Sequence, residues 1–214
     1  MFRRTGTKFS VHFEMYSHDC LYHFYNQGIN GQAIFRIEEN YDFFLGKVKK
    51  HLLPNAHVLA FCLMYNHFHF LLRPTEFGAS QSNKKVPVHG KNIENEMLPI
   101  CNLSYGVQML LSTYTRGFNK AYHRSGNLFR QGSNMKQCWD LRPLEDGGQG
   151  TIPNSSYPHT VFNYLHQNPV SAGICLDTVT WDWSSAREYQ GPYDRGICDF
   201  EMAESLLRVR KFRG

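Results

Sequence analysis

Apolar residues recur along this chain with two different periods, and the switches between them mark out its elements. Residues 20–27 (Cys-Leu-Tyr-His-Phe-Tyr-Asn-Gln) form a strand-like run that Gly28 and Gly31 stop. Helical spacing follows over 38–53, where Tyr41, Phe44, Leu45, Val48 and Leu52 recur on one face before Pro54. Residues 57–64 return to an apolar strand, Tyr65-Asn66 is a candidate tight turn, and 67–73 reads as a strand coming back beside the first. The chain is polar from 75 to about 99, which reads as a long exposed loop. Helical periodicity returns over 101–123 through Leu103, Val107, Leu110, Leu111, Tyr114 and Phe118. Residues 127–135 suit a further strand or an extended arm, and 141–157 a second loop. A short helix fits 159–167, ended by Asn168-Pro169 because a residue before proline is pushed out of helical geometry. Trp181-Asp182-Trp183-Ser184-Ser185 would cap a helix carrying Tyr189, and a last helix fits 199–211.

This β-α-β-β-α order with a closing strand predicts an α+β fold: a ferredoxin-like (RRM-like) sandwich, with an antiparallel sheet and helices on one face. Such a fold serves many functions, so any functional case has to rest on a site. The expected division is a main domain over 1–190, with 77–100 and 141–157 as long loops, followed by a helical tail over 191–214.

Composition narrows the class. At 214 residues the chain can bury a good core in one domain. It holds no apolar run long enough to span a bilayer, so no membrane partner is expected. The basic start Met1-Phe2-Arg3-Arg4-Thr5 is followed by no continuous apolar segment, which argues against a signal peptide. Six scattered cysteines form no CxxC pair and suit reduced, mostly buried thiols in a cytoplasmic protein. The net charge of +5 is a mild hint toward a polyanion, and its distribution says more. Between Glu96 and Asp140 there is no acidic residue, while Arg116, Lys120, Arg124, Arg130 and Lys136 lie there among aromatic and amide side chains. Cations for phosphates, mixed with rings that stack on bases, suit single-stranded or hairpin nucleic acid; an ordinary solvated basic helix face has the same composition.

Two short motifs carry chemistry. In His67-Phe68-His69, strand alternation projects both imidazoles from one face, about 7 Å apart along the chain, where they can converge on a divalent metal. Two surface histidines that happen to alternate would look the same. In Tyr164-Leu165-His166-Gln167-Asn168-Pro169, the i,i+4 spacing puts the Tyr164 phenol and the Asn168 amide on one helix face, with His166 and Gln167 pointing elsewhere. Tyr164 could equally be a core aromatic.

The two motifs together resemble the single-tyrosine His-hydrophobic-His transposases of small bacterial insertion sequences, and most closely the REP-associated tyrosine transposases. The resemblance also takes in Tyr22–Gly28, Leu63–Leu72, Tyr114–Asn119, Arg124–Arg130, Tyr164–Gly173 and Trp183-Ser184-Ser185, in order along most of the chain. It implies His67 and His69 as metal ligands, Asn168 as third ligand and Tyr164 as nucleophile, with Mg²⁺ or Mn²⁺ as the metal. Arg116, Lys120, Arg124 and Arg130 are the candidate DNA-binding cations.

The implied reaction is cleavage of single-stranded or hairpin DNA through a 5′-phosphotyrosine, with rejoining that needs no ATP. A free phenol has a pKa of about 10, so its deprotonation needs help; the sequence names no base for this, and His166 qualifies only if the helix is turned differently. A homodimer and a monomer are both compatible with the resemblance. Three rivals stand beside it: a catalytically inactive or domesticated DNA-binding protein, an RNA-binding sheet displaying Phe68 and Phe70, and a water-using metal hydrolase.

Overall fold

The computed structural model describes residues 16–87, 97–141 and 157–212. The 142–156 part of the second expected loop lies outside these residues.

The core of the fold is a four-stranded sheet of β1 (Cys20–Gln27), β2 (Ala56–Met64), β3 (His67–Pro74) and β6 (Asn134–Asp140), in the order β2-β3-β1-β6. Every pairing in it is antiparallel. Alternation splits its side chains between two faces. Phe24 of β1, Phe68, Phe70 and Leu72 of β3, and Phe61 and Leu63 of β2 enter one core. Over them lie α1 (Glu38–His51) and α3 (Asn102–Ala121), which contribute Phe44, Val48, Leu103, Leu110, Tyr114 and Phe118. A bulge between Val58 and Ala60 lets β2 serve both faces: Leu59 and Ala60 both leave the first core for the second, and alternation resumes at Phe61.

The second face is covered as well, which corrects the expectation of helices on one face. Leu21, Leu59, Cys62 and Leu71 pack against Val161, Phe162 and Leu165 of α4 (Tyr157–Ser171), Tyr189 of α5 (Ala186–Gln190), and Ala203 and Leu207 of α6 (Phe200–Leu207). The physical reason is in the strands themselves. Leu21, Cys62 and Leu71 are apolar at positions that would face water in a one-sided sheet, and they demand a cover. The residues expected to form a separate tail thus place two buried side chains in this core.

Other boundaries also shift. The expected loop at 75–99 contains a short helix, α2 (Glu76–Ala79), and a hairpin of β4 (Gln81–Pro87) and β5 (Met97–Cys101). Here backbone pairing joins the polar β4, Gln-Ser-Asn-Lys-Lys-Val-Pro, to the short apolar run Met-Leu-Pro-Ile-Cys of β5. Of the strand or extended arm expected at 127–135, only Asn134 and Met135 belong to a strand, and Phe129 makes an isolated bridge to Gly28. Helix α4 does not stop before Pro169 but runs to Ser171. Its end is set by Gly173 at φ 68°, where Gly173 N–H donates to Val170 O and Ile174 N–H to Pro169 O. That pair of bonds is a Schellman cap, and it lies far enough on for the buried Pro169 to sit inside the last turn. The last helix ends at Leu207, with the Asp199 carboxylate capping its start through Met202 N–H.

The edge strand β2 is not bare. Leu63 N–H donates to Trp183 O, Ser185 N–H to Phe61 O, Asp199 N–H to Val58 O, and Trp181 Nε1 to Leu63 O. The tryptophan-serine motif is therefore an edge cover for the sheet. No helix among the described residues is long and apolar enough to cross a membrane. None of the six cysteines is in a disulfide among the described residues, and four of them are buried.

Candidate active site

The site begins at the β2–β3 turn. Tyr65-Asn66 closes it, and both carbonyls accept from the loop after β1: Gly28 N–H donates to Asn66 O, and Ile34 and Phe35 N–H to Tyr65 O. These bonds fix the start of β3, where His67 stands opposite Gln27. His67 and His69 project from the same face, their ring centroids 5.0 Å apart and nearly perpendicular. His67 Nδ1 lies 2.6 Å from Asn66 Oδ1; an amide oxygen only accepts, so Nδ1 carries the proton and Nε2 keeps its lone pair.

His69 is buried, and its Nδ1 lies 2.9 Å from Nε2 of a third histidine, His23 on β1. The two rings stack with centroids 5.1 Å apart. His69 Nε2 is buried and has no hydrogen-bond partner. Burial first, then the neighbouring His23 and His67, pushes the His69 imidazole down to about 3. Burial, then Lys136, pushes His23 down to about 4, and burial lowers His67. All three rings are thus neutral near pH 7, the form in which imidazole ligates a metal.

Helix α4 brings the second motif over these rings. The apolar stripe Val161, Phe162 and Leu165 seats the helix on the sheet and leaves Tyr164 half exposed at the edge of the contact. The Tyr164 ring centroid is 5.5 Å from that of His69 and 6.2 Å from that of His23, both edge-on. Asn168, one turn further on, is partly buried, and its Nδ2 has no hydrogen-bond partner. His166 faces the other way: it is buried beneath Tyr189, with Nε2 2.8 Å from Ser185 Oγ. It cannot serve as a base for Tyr164.

A metal held here would need a mixed donor set. Among the described residues no group of three or more His, Cys, Asp or Glu is placed to hold a metal. His67 and His69 would offer two imidazole nitrogens and Asn168 a carboxamide oxygen, an N,N,O set that would suit Mn²⁺ better than Mg²⁺. The buried, unpartnered His69 Nε2 is the observation in favour of that fit.

The four candidate DNA-binding cations separate. Arg116 and Arg130 line one groove of about 940 Å³ between α3 and the start of β6, together with Asn119, Asn127, Gln131 and Asn26. Arg130 is anchored to the end of β1: its N–H donates to Gln27 O at 2.9 Å, and the Gln27 side-chain oxygen, with the amide turned toward the guanidinium, accepts from it at 2.5 to 2.9 Å. Arg124 is held by Asn119 and Gln32 and lies over the Phe118 ring. Lys120 is exposed and does not line the groove. Phe68 and Phe70 are fully buried in the first core, so they offer no stacking platform for RNA bases.

The sequence gives no separate signal for His23. It stands alone between two aromatic residues, and only the β1–β3 register, with Tyr25 opposite His69 and His23 opposite Leu71, brings its ring diagonally onto His69.

A solved structure of a REP-associated tyrosine transposase bound to a REP hairpin is similar to this chain. The identity is 14%, the TM-score 0.49, and the match covers 100% of this chain and 91% of that one. No family model and no curated protein matches the sequence.

Proposed function

We propose that this protein is a tyrosine transposase, a metal-dependent strand transferase that cuts and rejoins single-stranded hairpin DNA through a 5′-phosphotyrosine. The observation that carries the reading is the packing of a half-exposed Tyr164 edge-on against His69, whose Nε2 is buried without a partner. The strand order β2-β3-β1-β6 supports a ferredoxin-like core, with α4 to α6 added on its second face.

In this reading His67, His69 and Asn168 hold Mg²⁺ or Mn²⁺, which when bound supplies a Lewis acid for a non-bridging phosphate oxygen. The rest falls to the chain. Arg116 and Arg130 hold phosphates along the groove. The exposed Tyr164 hydroxyl attacks phosphorus; its new P–O bond replaces the P–O3′ bond, and the phenolic proton balances the released 3′-hydroxyl. The phosphodiester bond energy is kept in the phosphotyrosine, so another 3′-hydroxyl can reverse the step without ATP.

The test is incubation with single-stranded hairpin DNA and Mn²⁺, followed by denaturing electrophoresis. A covalent protein–DNA adduct is expected. Cleavage without an adduct would indicate a water-using nuclease, and binding without cleavage a DNA-binding protein that does no chemistry.

A further inference from the structure

We propose that His23 is the positioning residue for His69, holding it in the tautomer whose Nε2 lone pair faces the metal site. The inference rests on the metal reading above and adds a residue to it. Its basis is the 2.9 Å contact between His23 Nε2 and His69 Nδ1, both rings buried, together with the unpartnered His69 Nε2.

One proton lies between these two nitrogens, and it can belong to either. If His23 Nε2 carries it, His69 Nδ1 is the acceptor and its own proton sits on Nε2. That would bury an N–H with nothing to donate to, the rarer and costlier defect. If His69 Nδ1 carries the proton and donates to His23, His69 Nε2 is a bare lone pair. A bare lone pair is the cheaper defect, and it is what a divalent ion needs. His67 is arranged alike by different means: its Nδ1 donates to Asn66 Oδ1. The two ligand histidines thus each have an acceptor behind Nδ1, one from the turn and one from the neighbouring strand. A partner behind the ring fixes both the tautomer and the orientation of a ligating imidazole.

Two measurements test this. Long-range ¹H–¹⁵N spectra of the wild-type protein without metal should show His69 protonated at Nδ1 and His23 unprotonated at Nε2. His69 protonated at Nε2 would overturn the proposal, whatever the metal does. Calorimetric titration with Mn²⁺ should show affinity falling about 10- to 100-fold in His23→Ala, the range typical for loss of a partner behind a ligand. His23→Gln places an amide oxygen near the position of Nε2 and should recover most of the loss, whereas His23→Leu should not. A general packing defect would not separate Gln from Leu in this way. Affinity unchanged in His23→Ala, with binding abolished in His67→Ala, would sink the role of His23 and leave the metal site standing. Failure of the wild type to bind Mn²⁺ would sink the metal reading itself, and the spectra would still decide the His23–His69 tautomer.

Discussion

Of the twelve tyrosines, those at 22, 41, 114 and 189 are buried, and burial raises their pKa values above the ordinary phenol value. Tyr114 and Tyr189 also donate to the buried carbonyls of Ile34 and Leu59. None of these four can meet a DNA strand. Tyr65, Tyr164 and Tyr193 are the large exposed ones, and of these Tyr164 is the one packed on the histidines. Tyr164→Phe keeps the ring contact and removes only the hydroxyl. It should leave stability within roughly 0.5 kcal/mol, as for a surface change, and abolish adduct formation. An adduct in that variant would mean another nucleophile. Asn168→Ala should instead weaken Mn²⁺ binding while leaving the nucleophile, so slow cleavage should return at high Mn²⁺. The alternating histidines and the i,i+4 pair were legible in the sequence because local periodicity places them. His23 was not, because its role depends on which strand lies beside β1 and in what register.

At the scale of elements, the cover over β2 makes a sharp prediction. Ser185 Oγ accepts from Phe61 N–H at 2.9 Å, reaches Phe61 O at 3.2 Å and contacts His166 Nε2 at 2.8 Å, all of it buried. Ser185→Ala removes this hub and leaves buried polar groups without partners, a cost of about 1–3 kcal/mol for each orphaned group. Denaturant unfolding should show at least that loss. An unchanged midpoint would mean that water replaces the hydroxyl. Gly173 gives a second case. A Cβ there meets nothing within 4 Å, so the cost of Gly173→Ala is that of φ 68° alone, about 1 kcal/mol. The hydrophobic patterns located β1, α1, β2, β3 and α3 to within a residue or two, since one or both faces of each are apolar. They failed on β4 and β5, which carry no apolar alternation, and on the end of α4, where a glycine four residues beyond the proline sets the cap.

For the molecule as a whole, buried histidines set the response to acid. His23 and His166 are pushed down to about 4 and His69 to about 3, chiefly by burial. In the unfolded chain each would titrate near 6.5. Between pH 6.5 and about 4 the unfolded state therefore holds protons that the folded state refuses, and stability falls as pH falls. Glu188 acts in the opposite sense. Burial raises its carboxyl to about 7, so its contribution is full below the ordinary carboxylate range and is lost as pH rises through about 7. Three histidines against one carboxyl leave a net loss on acidification, roughly 1.4 kcal/mol per pH unit for each net proton taken up. Urea midpoints measured from pH 7 to pH 4.5 should fall steadily. A flat or rising series would show that the folded protein takes up these protons as readily as the unfolded chain does.

The same whole-molecule view distinguishes the basic residues by what they can do for a polyanion. Charge counting treats Arg116, Lys120, Arg124 and Arg130 alike, but the fold does not. Arg124 is held by Asn119 and Gln32 away from the groove, whereas Arg116 and Arg130 line it, the Arg130 guanidinium against the Gln27 amide. Arg130 is also tied to Gln27, the residue opposite His67, so the groove ends one strand away from the proposed metal site. A strand lying in the groove would have to pass around the end of β1 and β3 to reach Tyr164 on the other face. Each phosphate contact releases counterions, and losing one lowers the slope of log K against log salt by roughly 0.7 for a single strand. Arg116→Ala with Arg130→Ala should therefore reduce the slope by more than one unit and weaken binding across sequences alike. Lys120→Ala with Arg124→Ala should change it by less than half as much. Equal effects from the two pairs would show that the chain is held by diffuse charge over α3. A larger effect from Lys120 and Arg124 would move the DNA path off the groove and away from His67, and would separate the binding surface from the histidine cluster on which the proposed chemistry depends.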